Sequence, residues 1–438
     1  MLSFLLLILV GSLLLKLPIS TRSRVPVPYL DALFTATTSV CVTGLVTLPT
    51  VTTWSVFGQI VILILIQIGG LGLITFMAGL MIILHKRLGL NDRFLLQDAF
   101  NLNSITGVVK FIRKVLIGTF VVEGSGALMY MTVFIPQFGL KGIWISVFNA
   151  ISAFCNAGID IISVDSLVDY VKNPMVNLTT SLLIILSGIG FVVWWDVLAV
   201  SKRVPRYGLK AYRELNLHSK LAISSTIALL LGGTLLFLIF EYHNPNTIGS
   251  FSFPEKLQAA FFQSVTTRTA GFAMLPQKEL TNASAISALL LMFIGGSPVG
   301  TAGGVKTVTM TVLLASAFAQ IRNRSEVTMF HRTISKEAIS KAVAVVTMSF
   351  LIMFVSTVLL SSCTRADAMD IFYETVSATA TVGLSRNLTP FLGPVGKMII
   401  ILTMYLGRVG PISLAIAFKI RKEDKNIIKD PVEKISVG

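Results

Sequence analysis

The chain is predicted to be an all-α polytopic membrane protein, with four pseudo-symmetric helix–pore-loop–helix repeats around one central pore. Three observations predict it. Of 438 residues, 54% are hydrophobic and 13% charged, with mean hydropathy +0.80, whereas a soluble domain carries about 25% charged residues. Apolar stretches near the roughly 20 residues needed to cross a bilayer recur along the whole chain. Four short segments also look alike: Phe34-Thr-Ala-Thr-Thr-Ser-Val-Cys-Val-Thr-Gly44, Phe148-Asn-Ala-Ile-Ser-Ala-Phe-Cys-Asn-Ala-Gly158, Phe261-Phe-Gln-Ser-Val-Thr-Thr-Arg-Thr-Ala-Gly271 and Tyr373-Glu-Thr-Val-Ser-Ala-Thr-Ala-Thr-Val-Gly383. Their glycines lie 114, 113 and 112 residues apart. A fixed period in a membrane chain means one structural unit used several times. Four units around an axis can enclose a pore. Backbone kept free of bulk at one place in each unit can line it with carbonyl oxygens, which is how a dehydrated alkali cation is held.

The apolar spans run over 1–18, 54–84, 111–135, 175–200, 217–241, 281–318, 338–362 and 391–418. They make eight membrane helices, two per repeat, with a re-entrant segment inside each pair. The predicted organisation is repeat 1 at 1–84, a basic loop at 85–110, repeat 2 at 111–200, and a basic loop at 201–216. Repeat 3 follows at 217–318, a loop at 319–337, repeat 4 at 338–418, and a tail at 419–438. Most of the 36 Lys and Arg fall in the three loops and the tail. By the positive-inside bias that face is cytoplasmic. Both termini then lie inside the cell and the pore segments open outward. Topology accounts for most of the net charge of +15, so no nucleic acid partner is implied, although basic loops also suit anionic lipid or an acidic partner.

The first stretch lacks a basic n-region and a clear cleavage site, and reads as a retained helix rather than a signal peptide. Lys16, Arg22 and Arg24 locally favour the opposite orientation, but the larger loops outweigh them. Almost no lead-in precedes this helix, which leaves a short N-terminal extension open. Three cysteines cannot build a disulfide framework. Cys41 and Cys155 stand three residues before their glycines and read as small side chains packed behind the loops. His85, His218, His243 and His331 sit singly, without metal-ligand spacing.

The stretch Gly296-Ser-Pro-Val-Gly300-Thr-Ala-Gly303-Gly304-Val305-Lys306-Thr307 imitates a phosphate-binding loop. That motif needs glycine directly before the lysine and a strand before the loop. Here Val305 intervenes and an apolar helix precedes. No enzyme motif is found, and no cofactor is implied for this chain.

The four-fold order, together with Asp31-Ala-Leu-Phe-Thr-Ala, Gln67-Ile-Gly-Gly-Leu-Gly72, Ala153-Phe-Cys-Asn-Ala-Gly158, Thr267-Arg-Thr-Ala-Gly-Phe272 and Tyr405-Leu-Gly-Arg-Val-Gly-Pro411, resembles the Trk/Ktr/HKT superfamily of potassium transporters. With eight helices the chain is most similar to the membrane subunit of the bacterial Ktr uptake system. The resemblance implies a multi-pass protein of the bacterial cell membrane, dimeric, on a cytosolic ring of nucleotide-binding KtrA-type regulatory subunits, and K+ as the transported ion. It also implies that Gly44, Gly158, Gly271 and Gly383 are the filter glycines, with the carbonyls of Thr43, Ala157, Ala270 and Val382 as co-ligands. Sodium-selective plant relatives replace the first glycine by serine, so four glycines favour potassium. Only Thr381-Val-Gly383 approaches the Thr-Val-Gly-Tyr-Gly filter of potassium channels.

The inner helices carry glycines at Gly69, Gly70 and Gly72, Gly188 and Gly190, Gly295 and Gly296, and Gly407 and Gly410. Close helix packing suffices to explain the first two sets. The third is different, because Gly295, Gly296, Ser297, Pro298, Gly300, Thr301, Gly303 and Gly304 interrupt a long span. Such backbone is tolerated at membrane depth only when buried or lining a cavity, so 295–304 reads as an intramembrane loop, and the resemblance assigns it to the gate. Arg408, near mid-membrane, needs a partner or water. It reads either as a cap on carbonyls of a broken helix or as a gating charge. Arg268 is expected to point behind its loop and tie down carbonyls, with Glu374 either its counter-ion or an attractant for cations. Glu123 is read as a candidate for a buried ion pair or an interface role, and Asp196 as reaching the interface. Channel-like permeation leads this reading. The alternative is a sodium- or proton-coupled secondary transporter, which inverted repeats and midplane carboxylate pairs would favour.

Overall fold

The computed structural model describes residues 2–83, 89 and 107–410. The predicted tail 419–438, and most of the basic loop 85–110, lie outside them. Among the described residues every regular element but one short two-stranded hairpin is a helix. The outer helices are α1 (Leu2–Lys16), α5 (Val108–Phe138), α9 (Leu217–Glu241) and α13 (Lys336–Cys363). The pore-loop helices are α2 (Tyr29–Cys41), α6 (Lys141–Phe154), α10 (Phe253–Thr266) and α14 (Ala368–Thr379). The inner elements are α3 (Val56–Leu71) with α4 (Leu73–Ile83), α7 (Pro174–Gly188) with α8 (Phe191–Ser201), α11 (Asn282–Phe293) with α12 (Thr307–Ile321), and α15 (Pro394–Val409).

Among the described residues, α5, α9 and α13 are unbroken helices long and apolar enough to cross a membrane. Their 31, 25 and 28 residues, at about 1.5 Å each, exceed the roughly 30 Å hydrocarbon layer. The inner elements of the first three repeats are broken instead, which corrects the expectation of continuous spans at 54–84 and 175–200. Gly72 (φ +83°) separates α3 from α4. Gly190 (φ +96°) helps turn α7 into α8 through 95°. Close packing is therefore only part of what these glycines do.

The pore-loop helices span 12 to 14 residues, too short to cross, and are largely buried. Several hydroxyls of α2 bond back to their own helix: Thr35 to Asp31 O (2.9 Å), Thr37 to Leu33 O (2.8 Å) and Ser39 to Thr35 O (2.6 Å). Self-satisfied hydroxyls let a Thr- and Ser-rich helix sit in an apolar interior. Each inner helix also packs on the pore-loop helix of the next repeat: α3 on α6, α7 on α10, α11 on α14, and α15 back on α2. The circuit closes on itself. A hairpin of Thr328–Met329 with Arg332–Thr333 stands in the loop after α12 and was not foreseen.

Candidate functional site

The four predicted glycines meet. All have positive φ: +98° at Gly44, +62° at Gly158, +82° at Gly271 and +99° at Gly383. A methyl group on Gly44 would sit 2.6 Å from the carbonyl oxygen of Ala157, and one on Gly158 2.7 Å from that of Ala270. On Gly271 it would strike Val382 O, and on Gly383 Thr43 O. Each glycine thus abuts the carbonyl preceding the glycine of the next repeat, and the fourth abuts the first. All eight predicted filter residues belong to one closed ring, in which only glycine offers both the dihedral and the clearance.

Two features position this ring. Hydroxyls six residues before the glycine anchor three of the loops. Thr38 accepts from Gly44 N–H (3.0 Å), Ser377 from Gly383 N–H (3.0 Å), and Ser152 from Ile159 N–H (3.2 Å). In the third repeat Thr266 donates to Phe272 O instead (2.6 Å). Left-handed residues two before each glycine turn the backbone: Val42 (φ +55°), Asn156 (+57°), Thr269 (+68°) and Thr381 (+49°). Sequence reasoning missed these, because Val42, Thr269 and Thr381 are β-branched and rarely adopt that region. The pore-loop helices end at the ring, so the negative ends of their dipoles face it.

Outside the ring lies a vestibule of about 560 Å³, lined by all four glycines and by Asp160, Asp165, Lys278 and Glu279. Asp160 is also absent from the sequence reading. Burial pushes its carboxyl up to about 6, against hydrogen bonds from Ser166, Ile162 and Ser163.

On the other side, residues 294–306 form a loop whose base is a bridge between Ile294 and Val305. Ser297 N–H donates to Gly188 O (2.8 Å), at the α7–α8 bend. Gly303 N–H donates to Thr269 Oγ1 (3.1 Å), and Asn156 Nδ2 to Thr301 Oγ1 (3.0 Å). These donors are spent on protein rather than forming a phosphate cradle. Arg408 donates to Thr301 O (2.9 Å) and to Gly69 O (2.5 Å), joining the loop to α3. The sequence left capping and gating open for it; the capping contacts are present. Lys306, passed over within the false phosphate motif, donates to Ala302 O (2.5 Å). With Arg408 it lines a cavity of about 350 Å³.

Arg268 is buried, but its Nε has no partner and the expected carbonyl ties are not found among the described residues. Glu374 is not its counter-ion, since it accepts from Ser385 Oγ (2.7 Å) and from Thr389 Oγ1. Glu123 accepts from Gln67 Nε2 (3.1 Å), and Asp196 from Asn216 N–H (3.0 Å). No group of His, Cys, Asp and Glu among the described residues is suited to hold a metal ion.

Fold and site together define a polytopic membrane protein with four re-entrant loops closing one ring. Residues 7–429 match the profile described as "TrkH: Cation transport protein". The chain is 40% identical to "Ktr system potassium uptake protein B" of Bacillus subtilis, over 99% of its own length and 95% of the relative's. It is 39% identical to "Potassium/sodium uptake protein NtpJ" of Enterococcus hirae, over 99% and 95%. The crystal structure of the potassium transporter TrkH from Vibrio parahaemolyticus shares the fold, with TM-score 0.74 and 16% identity over 96% of this chain and 83% of that one. The chain belongs to the TrkH family of cation transport proteins.

Proposed function

We propose that this chain is the ion-translocating subunit of a bacterial potassium uptake system, in which K+ permeates channel-like through the ring of Gly44, Gly158, Gly271 and Gly383. The observation that carries this reading is the closure of the ring, each glycine against the next repeat's carbonyl. Carbonyl oxygens of fixed geometry replace an alkali cation's hydration shell. The loop 295–304 is the gate, with Arg408 as the donor that holds it shut. Relatives named as Ktr potassium uptake proteins support K+ as the ion. The name of the Enterococcus hirae relative, which includes sodium, makes the strictness of selection a quantity to measure.

In the same reading the protein is a homodimer in the bacterial cell membrane with both termini cytoplasmic. It works with a cytosolic nucleotide-binding KtrA-type regulatory subunit. The repeats run in parallel and the ring carries no carboxylate pair, so coupling to sodium or protons is not required. A potential of 100 mV contributes about 2.3 kcal/mol per cation, or roughly fifty-fold accumulation at about 1.4 kcal/mol per decade. Uptake of K+, Rb+ and Na+ by the purified chain in liposomes tests it. A potential alone should drive K+ and Rb+ accumulation. Uptake that needs an imposed sodium or proton gradient would instead favour the coupled transporter.

A further inference from the structure

Three of the four repeats carry phenylalanine ten residues before the ring glycine, Phe34, Phe148 and Phe261, and the fourth carries Tyr373. Tyr373 is fully buried in α14. An aromatic ring packs there without a hydroxyl, and a buried hydroxyl must find a partner to offset its lost hydration. Tyr373 OH donates to Gln277 Oε1 (2.9 Å). Gln277 belongs to the third repeat and stands six residues after Gly271. The hydroxyl that sets the fourth repeat apart is therefore spent on the loop of the third.

Gln277 is itself fully committed. Its Oε1 also accepts from Gln263 Nε2 on α10 (2.7 Å), and its NH2 donates to Leu275 O (2.7 Å) and to Gln263 Oε1 (3.2 Å). Two lone pairs and two hydrogens are all an amide side chain has. Arg386, three residues after Gly383, adds a second tie. Its NH1 donates to Gln277 O (3.3 Å), and its Nε to Asp370 on α14 (2.7 Å). At this same joint Gly271 abuts Val382 O in the ring. The other pore-loop helices also clasp the repeat before them. Trp144 of α6 donates to Gln59, Gln258 of α10 donates to Val171 O, and Asp31 of α2 accepts from Lys397. Those partners lie 15, 13 and 14 residues beyond their ring glycines, against six for Gln277. Of the four clasps, that of Tyr373 grips the chain nearest the ring.

We propose that Tyr373 is a positioning residue for ion selection, which through Gln277 fixes the joint between the third and fourth segments of the ring. The proposal rests on the filter reading. A ring of carbonyls chooses an ion by the cavity and the field it presents, and both change when a joint slackens. Tyr373 acts on the ion only through Gln277 and the residues that lead back to Gly271. Without its hydroxyl, the amide pair of Gln263 and Gln277 stays closed and the third loop stays attached to its own repeat. What is lost is one tie across the joint, and the consequence is looser discrimination rather than loss of the fold.

Tyr373→Phe gives the fourth repeat the aromatic residue of the other three and removes one hydroxyl. The full chain carrying it, purified into liposomes, should still conduct K+, while its ratio of K+ to Na+ flux falls roughly three- to tenfold, the effect of one neutral hydrogen bond. In a Gln277→Met background the same substitution should lower the ratio no further. Tyr130→Phe removes a buried hydroxyl that bonds Thr180 between α5 and α7. It is the control for general loosening and should leave the ratio unchanged. Gln277→Met alone, read the same way, serves if Tyr373→Phe does not fold. A folded Tyr373→Phe chain with the wild-type ratio overturns the proposal, as does an equal fall in Tyr130→Phe. Gly44→Ser separates this outcome from failure of the filter reading. A ratio lowered by Gly44→Ser and untouched by Tyr373→Phe overturns the positioning role alone, whereas a ratio that neither moves overturns both.

Discussion

Replacing Arg408 by alanine is expected to raise ion flux and loosen its control by any cytosolic regulatory subunit. The guanidinium binds three carbonyls: Thr301 O on the loop (2.9 Å) and Gly69 O and Gly70 O on α3 (2.5 and 3.4 Å). If the loop moves to open the path, the bond to Thr301 is the one that must break. A hydrogen bond from a charged donor contributes about 1.5–3 kcal/mol net. Losing it shifts the closed–open balance roughly 10- to 150-fold, at 1.4 kcal/mol per decade. Removing the charge also lowers the electrostatic barrier under the ring, so flux should rise even in the absence of the partner. The assay is 86Rb+ uptake by purified protein in liposomes, with and without the regulatory subunit. Arg408→Gln separates the two effects, since it keeps a donor and loses the charge. Deleting 297–302 should act in the same direction and leave ion preference intact, because the ring is untouched. If the deletion and Arg408→Ala both fold and conduct no better than wild type, while wild type is demonstrably gated, the loop is scaffold and control lies at the ring.

Three further outcomes are expected. Asp160 lines the vestibule with its carboxyl pushed from 3.8 to about 6 by burial, so K+ uptake at fixed potential should fall as pH on the vestibule side drops through about 6. Asp160→Asn should abolish that inflection. A carboxyl raised on folding stabilises the fold fully below pH 3.8 and loses this contribution as pH rises through about 6. Asp160→Asn should therefore melt higher than wild type at pH 8, by up to about 3 kcal/mol of stability, and lose that advantage at pH 4. Equal melting at both values would show that the carboxyl titrates normally. Cysteine tags within 205–215 and 325–335 should be protected from impermeant reagents in intact cells, while tags near 24 or 246 react. The reverse pattern would put the ring's vestibule inside the cell.

Much of this architecture was legible because it repeats. The spacing of Gly44, Gly158, Gly271 and Gly383 survives folding as a ring, since a backbone packed against its neighbour's carbonyl tolerates no side chain. The interruption at 295–304 was equally plain, because Pro298 and five glycines cannot continue a helix. What escaped notice had no compositional mark. Gly72 and Gly190 looked like packing glycines, and only the positive φ distinguishes a hinge from a contact. Val42, Thr269 and Thr381 are residues that disfavour the left-handed region, held there by the ring around them. Lys306 was visible but was weighed only as part of a nucleotide motif. The partners of Arg408 come from segments distant in sequence, and those of Glu374 from the loop that follows its own helix, and spacing alone pairs neither.

The central claim is that the glycine ring chooses the ion. The most direct test is the ratio of K+ to Na+ flux through the purified chain in liposomes, measured for wild type and for Gly44→Ser. A side chain at Gly44 would begin 2.6 Å from Ala157 O, with φ at +98°, so it must displace a ring carbonyl. Strain of this kind costs about 1–3 kcal/mol, and a loss of discrimination near 1.4 kcal/mol is tenfold. Gly124→Ala, at a position with nothing within 4 Å of the added methyl, is the control and should leave the ratio unchanged. The account predicts a wild type that prefers K+ and a Gly44→Ser variant whose preference falls about tenfold. A well-folded Gly44→Ser chain with the wild-type ratio would contradict it and remove the ring from the ion's path.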